Sequence, residues 1–402
     1  MGRRPGDAAE ILDAVVIGAG QAGLAVGYHL HRHNRDVERH GRRRLTYALL
    51  DASEDPGGSW PQMWASLRLF SPAAYSSLPG RRMPPAEGSG NPSASHVADY
   101  LASYEERYEL PVRRGCRVES VTSADGADDA DDADDADGAD GADDVLTVHL
   151  ADGEQLRTRH VVSATGTWSR PFIPVVAGTA EFAGDQIHAV SYDRPATYDG
   201  RRVLVVGGGN SGAQIAADLM LARERGEPSA SDVHWATTRA PRYLPDDVDG
   251  RVLFETATKA VRDREAGREP SGGVGSLGDI VATPDVRAAR DDLGLRARIG
   301  LAAFTAPGAR FDDGVEVELD AVIWATGFRP ALQHLRPLRL ESRDGRPATG
   351  PWTAGASPTR AVTRPDVWLV GYGDWCGPAS ATLIGAGRAA RDTVEGLVDS
   401  LT

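Results

Sequence analysis

The chain has 402 residues, 41% hydrophobic and 25% charged, which is ordinary for a soluble protein and enough for two or three domains with their own cores. Its net charge of −14 is concentrated in one run at 125–144 that carries 11 aspartates and no base, and without them the charge is −3. A near-neutral body excludes the basic face that nucleic acid requires, and two lone cysteines, Cys116 and Cys376, exclude a disulfide framework, a cysteine-built zinc site and a C-x-x-C redox centre.

The N-terminal residues, MGRRPGDAAEILDAVV, lack the apolar run and cleavage site of a secretory signal. The longest apolar stretch, 14–30, is broken by glycines and polar residues and is too weak to span a membrane. The expectation is a cytoplasmic protein that engages no membrane. AVVIGAGQAGLAVGYHLHRH then reads as a buried strand, a glycine turn and a helix. Gly18 permits the tight turn, Gly20 lets the backbone approach a pyrophosphate, and Gly23 lets the helix close on the sheet, with Gln21 at the helix start. N–H groups at that start hold phosphates. The next β-like run, YALLDA at 47–52, ends near Asp51, a carboxylate suited to ribose hydroxyls. GGSW follows at 57–60. The aspartate-rich segment 124–144 reads as a solvated, disordered loop between two strands.

HVVSATGTWSRPFIP is an apolar strand that ends in Ala164-Thr165-Gly166 and suits a crossing between domains. RRVLVVGGGNSGAQIAADLMLARE repeats the strand–turn–helix plan with Gly207, Gly209 and Gly212, placing Asn210 and Ser211 at the second helix start. Its next strand, DVHWATT at 232–238, leads to Arg239 and no acid. A guanidinium can pair with a 2′-phosphate, so the first unit fits FAD and the second NADPH. A third G-x-G-x-x-G match, GVGSLG at 273–278, has no strand before it and reads as chance. Residues 246–300 read as an insertion with a helix near FETATKAVRDRE; AVIWATGFRPAL repeats the crossing with Ala325-Thr326-Gly327. The last segment reads as strand, loop and long helix that return to the first unit, because they cannot bury themselves alone. The expected fold class is α/β, with two doubly wound Rossmann-type dinucleotide-binding domains. The FAD domain is discontinuous, 1–168 and 331–402, around an NADPH domain at 169–330.

Two dinucleotide sites without a C-x-x-C leave flavin chemistry driven by a nicotinamide, and here the sequence resembles the class B flavin-dependent monooxygenases. GGSW is similar to their Gly-Gly-x-Trp loop, which implies that Gly58, Ser59 and Trp60 lie against FAD. FAGDQIHAVSY fits the family fingerprint F-x-G-x-x-x-H-x-x-x-[Y/F/W] through Phe182, Gly184, His188 and Tyr192. The Baeyer–Villiger branch usually ends this motif in Trp; Tyr192 sits closer to the heteroatom-oxidising branches. Asp374, in GYGDW, resembles the acid that bonds the flavin ribityl chain, and a helix beginning near Ala379–Thr382 would direct its positive end at the flavin pyrimidine, with Thr382 beside it. WASLRLFSPAAYSSLPG, MPP, LPDDVDGRVLF, GDI and LVGYGDW look like the flavin monooxygenases encoded in bacterial arsenical-resistance operons. One position departs from the family: Phe70 stands where members place an asparagine near the reactive edge of the flavin. His188 and Phe70 are therefore candidate modulators.

The resemblance implies that NADPH delivers hydride to FAD and that molecular oxygen then forms a C4a-hydroperoxyflavin. A soft nucleophilic small molecule (nitrogen, sulfur or arsenic at the reacting atom) takes its distal oxygen. No metal and no acid–base pair is required. FSPAAYSSLPG and 246–300 are the expected pocket walls. Two alternatives stand beside this one: an NADPH oxidase or diaphorase without oxygen insertion, which Phe70 favours, and a non-enzymatic flavin- or nucleotide-sensing module. A homodimer would be ordinary for this fold.

Overall fold

The structure, a computed structural model, describes residues 10–86, 90–123, 145–246, 252, 256, 259, 278–351, 357–377 and 379–401. The expected loop at 124–144 lies outside the described residues, as does the expected helix near 254–265 apart from Thr256 and Lys259, which are helical.

β1 (Ile11–Ile17) is aliphatic on both faces because both are covered. It pairs in parallel with β2 (Tyr47–Leu50) on one side and β6 (Gln155–Ser163) on the other. α1 (Gln21–Arg39) is the crossover between β1 and β2. Gly27 lets it lie close to the sheet, since a Cβ there would come within 2.9 Å of Leu49 Cδ2. After α2 (Ala94–Arg107), β3 (Val112–Arg113) pairs in parallel with β2. β4 (Val118–Ser123) and β5 (Leu146–Leu150) form an antiparallel arm on the first half of β6, with Leu146 opposite Thr158. The second half of β6 takes a different partner far along the chain: β17 (Val367–Leu369), with Val367 opposite Val161.

A second sheet is entirely parallel. Its strands are β7 (Asp185–His188), β8 (Arg202–Val206), β9 (Asp232–Thr237), β10 (Ala297–Ile299) and β14 (Ala321–Trp324), in the order β10-β9-β8-β14-β7. Period-2 alternation sorts its side chains. Val203, Val205, Ala321 and Ile323 face the helices α3 (Asn210–Glu224) and α4 (Pro284–Asp291). Leu204, Val206, Val322 and Trp324 face a three-stranded antiparallel sheet of β11 (Leu301–Thr305), β12 (Gly308–Phe311) and β13 (Glu316–Glu318). α4 and β10 lie inside the stretch expected to be an insertion; from 284 to 299 that stretch is instead part of this unit, with Val286 and Ala289 buried against α3. After a short hairpin, β15 (Ser342–Arg343) and β16 (Arg346–Pro347), the chain returns to the first sheet as β17 and closes with α5 (Leu383–Leu401). α5 packs on α1 through Ala386, Ala389, Ala390 and Val394. The architecture is α/β with two Rossmann-type units.

Burial lowers the pKa of several histidines below the usual 6.5, His29 and His334 to about 4 and His160 in the same direction among them. The native chain thus binds fewer protons than the unfolded chain below pH 6.5, so this stability is complete above 6.5 and is lost as the pH falls toward 4. Urea unfolding at pH 5 should give a free energy lower than at pH 7.5 by about 2 kcal/mol for each of His29 and His334. His29→Gln and His334→Gln should flatten that dependence.

Candidate functional site

The two glycine turns share one construction. Gly18, at φ +99°, follows β1, and a Cβ there would lie 2.6 Å from the carbonyl oxygen of Ala164. Gly207, at φ +145°, follows β8, and its Cβ would lie 2.1 Å from the carbonyl oxygen of Ala325. Each turn is thus pressed against the alanine of one Ala-Thr-Gly sequence. In each, the third glycine closes the turn: a Cβ on Gly23 would meet Gly18 O at 1.8 Å, and one on Gly212 would meet Gly207 O at 2.2 Å. The middle glycines differ in kind. Gly20 and Gly209 are the N-caps of α1 and α3, both with φ in the ordinary range and neither with a side-chain capping bond. A Cβ on Gly209 would meet nothing within 4 Å. The protein itself does not demand glycine there; a group seated over the helix N-terminus would. Uncapped first-turn N–H groups at the positive end of a helix suit phosphate.

Around the first turn, Asp51 at the end of β2 accepts from Ala19 N–H at 2.6 Å and from Ser53 N–H at 2.8 Å, and the Arg114 guanidinium lies 3.8 Å away. Gly58 sits on the turn so closely that its Cβ would approach Gly20 Cα to 2.9 Å; Ser59 and Trp60 open the short helical turn that follows. Gln21 joins three distant segments: its Oε1 accepts from Trp60 Nε1–H at 3.2 Å, and its Nε2 donates to Ala381 O at 2.6 Å. Asp374 is exposed and uses Oδ1 to accept from Ala379 N–H at 2.9 Å. Thr382 accepts from Gly385 N–H at 3.1 Å, which makes it the N-cap of α5. The expected first-site residues therefore converge, with Thr382 and Asp374 also holding the loop that brings α5 there. Phe70 lies apart from these contacts, half-buried in a bend that follows the Arg68–Ser93 bridge.

Around the second turn, Trp235 Nε1–H donates to Gly207 O at 2.8 Å, and the Thr237 methyl lies 3.6 Å from where a Cβ on Gly208 would be. The end of β9 is thereby fixed beside the turn. Thr237 Oγ1 donates to Arg239 O, and Arg239 pairs with Asp279 at 3.0 Å. Arg242 makes a bidentate pair with the same carboxylate at 2.8 and 3.0 Å, and these hydrogen bonds hold Asp279 below the usual carboxylate range. Asn210 accepts from Val281 N–H at 2.8 Å, so the 278–283 segment is tied to the start of α3. Ser211 occupies the first turn of α3. Arg242 and Asp279 escape sequence reasoning, although the GDI similarity marks the stretch in which Asp279 lies.

The fingerprint is a set of fasteners. A Cβ on Gly184 would meet Asp320 O at 2.6 Å; Phe182 is buried against Phe304. His188 Nδ1 accepts from Val190 N–H at 3.1 Å, which leaves its proton on Nε2 to be donated to Gly327 O at 3.0 Å. Desolvation lowers its pKa, so it is neutral and holds the crossing rather than offering a proton. Tyr192 O–H donates to Asp218 Oδ2 on α3 at 2.7 Å, and its ring meets Trp64 edge-on at 6.0 Å. Trp64 comes from the segment after GGSW, so the fingerprint also joins the two units. The crossings themselves are zipped together: Phe172 N–H donates to Gly327 O and Ala331 N–H to Gly166 O, at 3.0 and 2.9 Å. No cluster of three or more metal-ligating side chains occurs among the described residues.

Residues 92–247 match the family model described as flavin-binding monooxygenase-like. A solved flavin-containing monooxygenase from Stenotrophomonas maltophilia is 41% identical, with a TM-score of 0.78 over 98% of this chain and 100% of that one. An uncharacterised CzcO-like oxidoreductase of Geobacillus kaustophilus is 27% identical over 79% of this chain and 81% of its own length. A probable indole-3-pyruvate monooxygenase of Arabidopsis thaliana, YUCCA8, is 26% identical over 83% of this chain and 79% of its own.

The two kinds of glycine should separate in experiment. Gly212→Ala forces its Cβ into Gly207 O and should cost about 3 kcal/mol in urea unfolding. Gly209→Ala should cost less than about 1 kcal/mol in unfolding, the loss of a glycine N-cap, while weakening nucleotide binding by about tenfold in isothermal titration.

Proposed function

Because the chain belongs to the flavin-binding monooxygenase-like family, we propose that it is an NADPH-dependent flavin monooxygenase acting on a soft nucleophilic small molecule, an amine, a sulfide or a trivalent arsenical. The observation that carries this is the pair of glycine turns, each ending at a helix N-terminus that no side chain caps, with open space over Gly209 that suits a bound phosphate. FAD fits the first turn: Gly18, Gly20, Gln21 and Gly23 would cradle its pyrophosphate and Asp51 its ribose. Gly58, Ser59 and Trp60 would flank it, with Asp374 and Thr382 on the loop entering α5. NADPH fits the second: Gly207, Gly209, Asn210, Ser211 and Gly212 would hold the pyrophosphate, and Arg239 the 2′-phosphate. Bound FAD supplies the hydride-accepting and oxygen-activating chemistry; the protein supplies position and electrostatics.

Each residue's work follows from its place. The α1 N-terminus offers N–H donors to diphosphate charge, and the α5 N-terminus, whose Thr382 cap is fixed, favours negative charge built up beside it. Arg239 and Arg242 share Asp279, so two guanidiniums stand side by side near the turn, placed to meet a phosphate. Tyr192, Asp218 and Trp64 hold the segment after GGSW against α3 and so fix how the two turns are placed relative to one another. Motif similarity supports an arsenical substrate; the same soft-nucleophile chemistry serves amines and sulfides. An oxidase reading rests on Phe70, an apolar side chain where members carry an amide.

Rapid mixing of NADPH-reduced protein with oxygen, in the presence of arsenite, an amine or a sulfide, tests the assignment. One oxygenated product per NADPH, with little peroxide, is expected; stoichiometric peroxide with every candidate would replace it with the oxidase. Arg239→Ala should raise the KM for NADPH about tenfold and leave that for NADH nearly unchanged.

A further inference from the structure

Behind the first crossing, four polar side chains form one buried circuit. Tyr372 O lies 2.6 Å from Ser163 Oγ and 2.7 Å from Thr165 Oγ1, and accepts from Thr165 N–H at 3.1 Å. Ser163 Oγ lies 3.0 Å from His334 Nε2, and Thr165 Oγ1 donates to Ala331 O at 2.8 Å. Ser163, His334 and Tyr372 are at most 6% exposed and Thr165 is half-buried, so protein groups supply most of their partners.

Five contacts each need one hydrogen: His334–Ala331, His334–Ser163, Ser163–Tyr372, Tyr372–Thr165 and Thr165–Ala331, and the three hydroxyls bring three. A neutral ring brings one more, so either tautomer leaves one contact without a hydrogen. Tyr372 keeps Ser163 Oγ, Thr165 Oγ1 and Thr165 N–H as its neighbours in every arrangement.

The circuit lies between the crossing and the loop 371–377. Gly371 in that loop is packed so that its Cβ would lie 2.6 Å from Ala22 Cβ in the first turn of α1, and Asp374 follows three residues later. We infer that Tyr372 is a positioning residue for the flavin site, holding the 371–377 loop against the first crossing through its hydrogen bonds with Ser163 and Thr165. This rests on flavin binding at the first turn.

FAD affinity, measured first on the wild type, tests it; a wild type that binds no FAD overturns the flavin reading and the positioning role with it. Given binding, Tyr372→Phe should weaken FAD about tenfold. It should also shift the visible band of bound flavin and narrow the Tm gap between flavin-loaded and flavin-free protein. Equal Tm losses in both forms, with FAD affinity and spectrum unchanged, would make the hydroxyl merely structural and overturn the positioning role. Should Tyr372→Phe fail to fold, Ser163→Ala breaks the same circuit one contact earlier and is judged by the same readouts.

Discussion

The first glycine of each turn rests against a main-chain carbonyl from a different strand, Gly18 on Ala164 and Gly207 on Ala325. Neither position has room for a side chain, and so each turn is held in register with the strand beside it by backbone contact alone. The rest of the site inherits its placement from these two contacts. Each alanine opens an Ala-Thr-Gly sequence, each such sequence leaves its sheet with a glycine at positive φ (Gly166, Gly327), and the two departing chains then hydrogen-bond to one another. One constraint therefore shapes both nucleotide cradles and the passage between them.

This arrangement also gives the fingerprint its meaning. A histidine and a tyrosine in a linker invite a catalytic interpretation, yet each is saturated by protein partners. His188 spends its one ring proton on Gly327, the glycine of the second crossing, and Tyr192 spends its hydroxyl on Asp218 of α3. The cost of burying these groups is offset because every polar atom finds a mate. Their spacing follows from geometry: β7 reaches the end of β14 with His188, and the chain then turns under α3 with Tyr192. Chemistry at the site is left to what binds there.

The glycine turns, both crossings and the return of the C-terminal segment were legible in the sequence because each depends on local signals: aliphatic runs, glycine spacing, and an amphipathic helix unable to bury itself. The edge strand β10 and α4 were not. ARI, Ala297–Ile299, is a three-residue strand with no alternating pattern, and it becomes a strand only because β9 offers it an edge. Asp279 and Arg242 were hidden for a related reason. They meet Arg239 through a segment joined to 242–244 by one isolated bridge, Tyr243 to Ile280, which has no periodic signature. Gln21 was found as a helix-start residue, but its double grip on Trp60 and Ala381 spans 360 positions and belongs to the fold, not to any stretch of sequence.

The shared edge of β6 sets an order of events during synthesis. The parallel sheet carrying Gly207 uses strands from 185 to 324, all of which leave the ribosome in one continuous stretch, so it can form while translation proceeds. The sheet carrying Gly18 is begun first and finished last: half the edge of β6 and the inner face of α1 stay uncovered until β17 and α5 have been made. Until then the face of α1 that α5 covers is left bare. The cradle around Gly18 thus becomes complete only after its neighbour is folded.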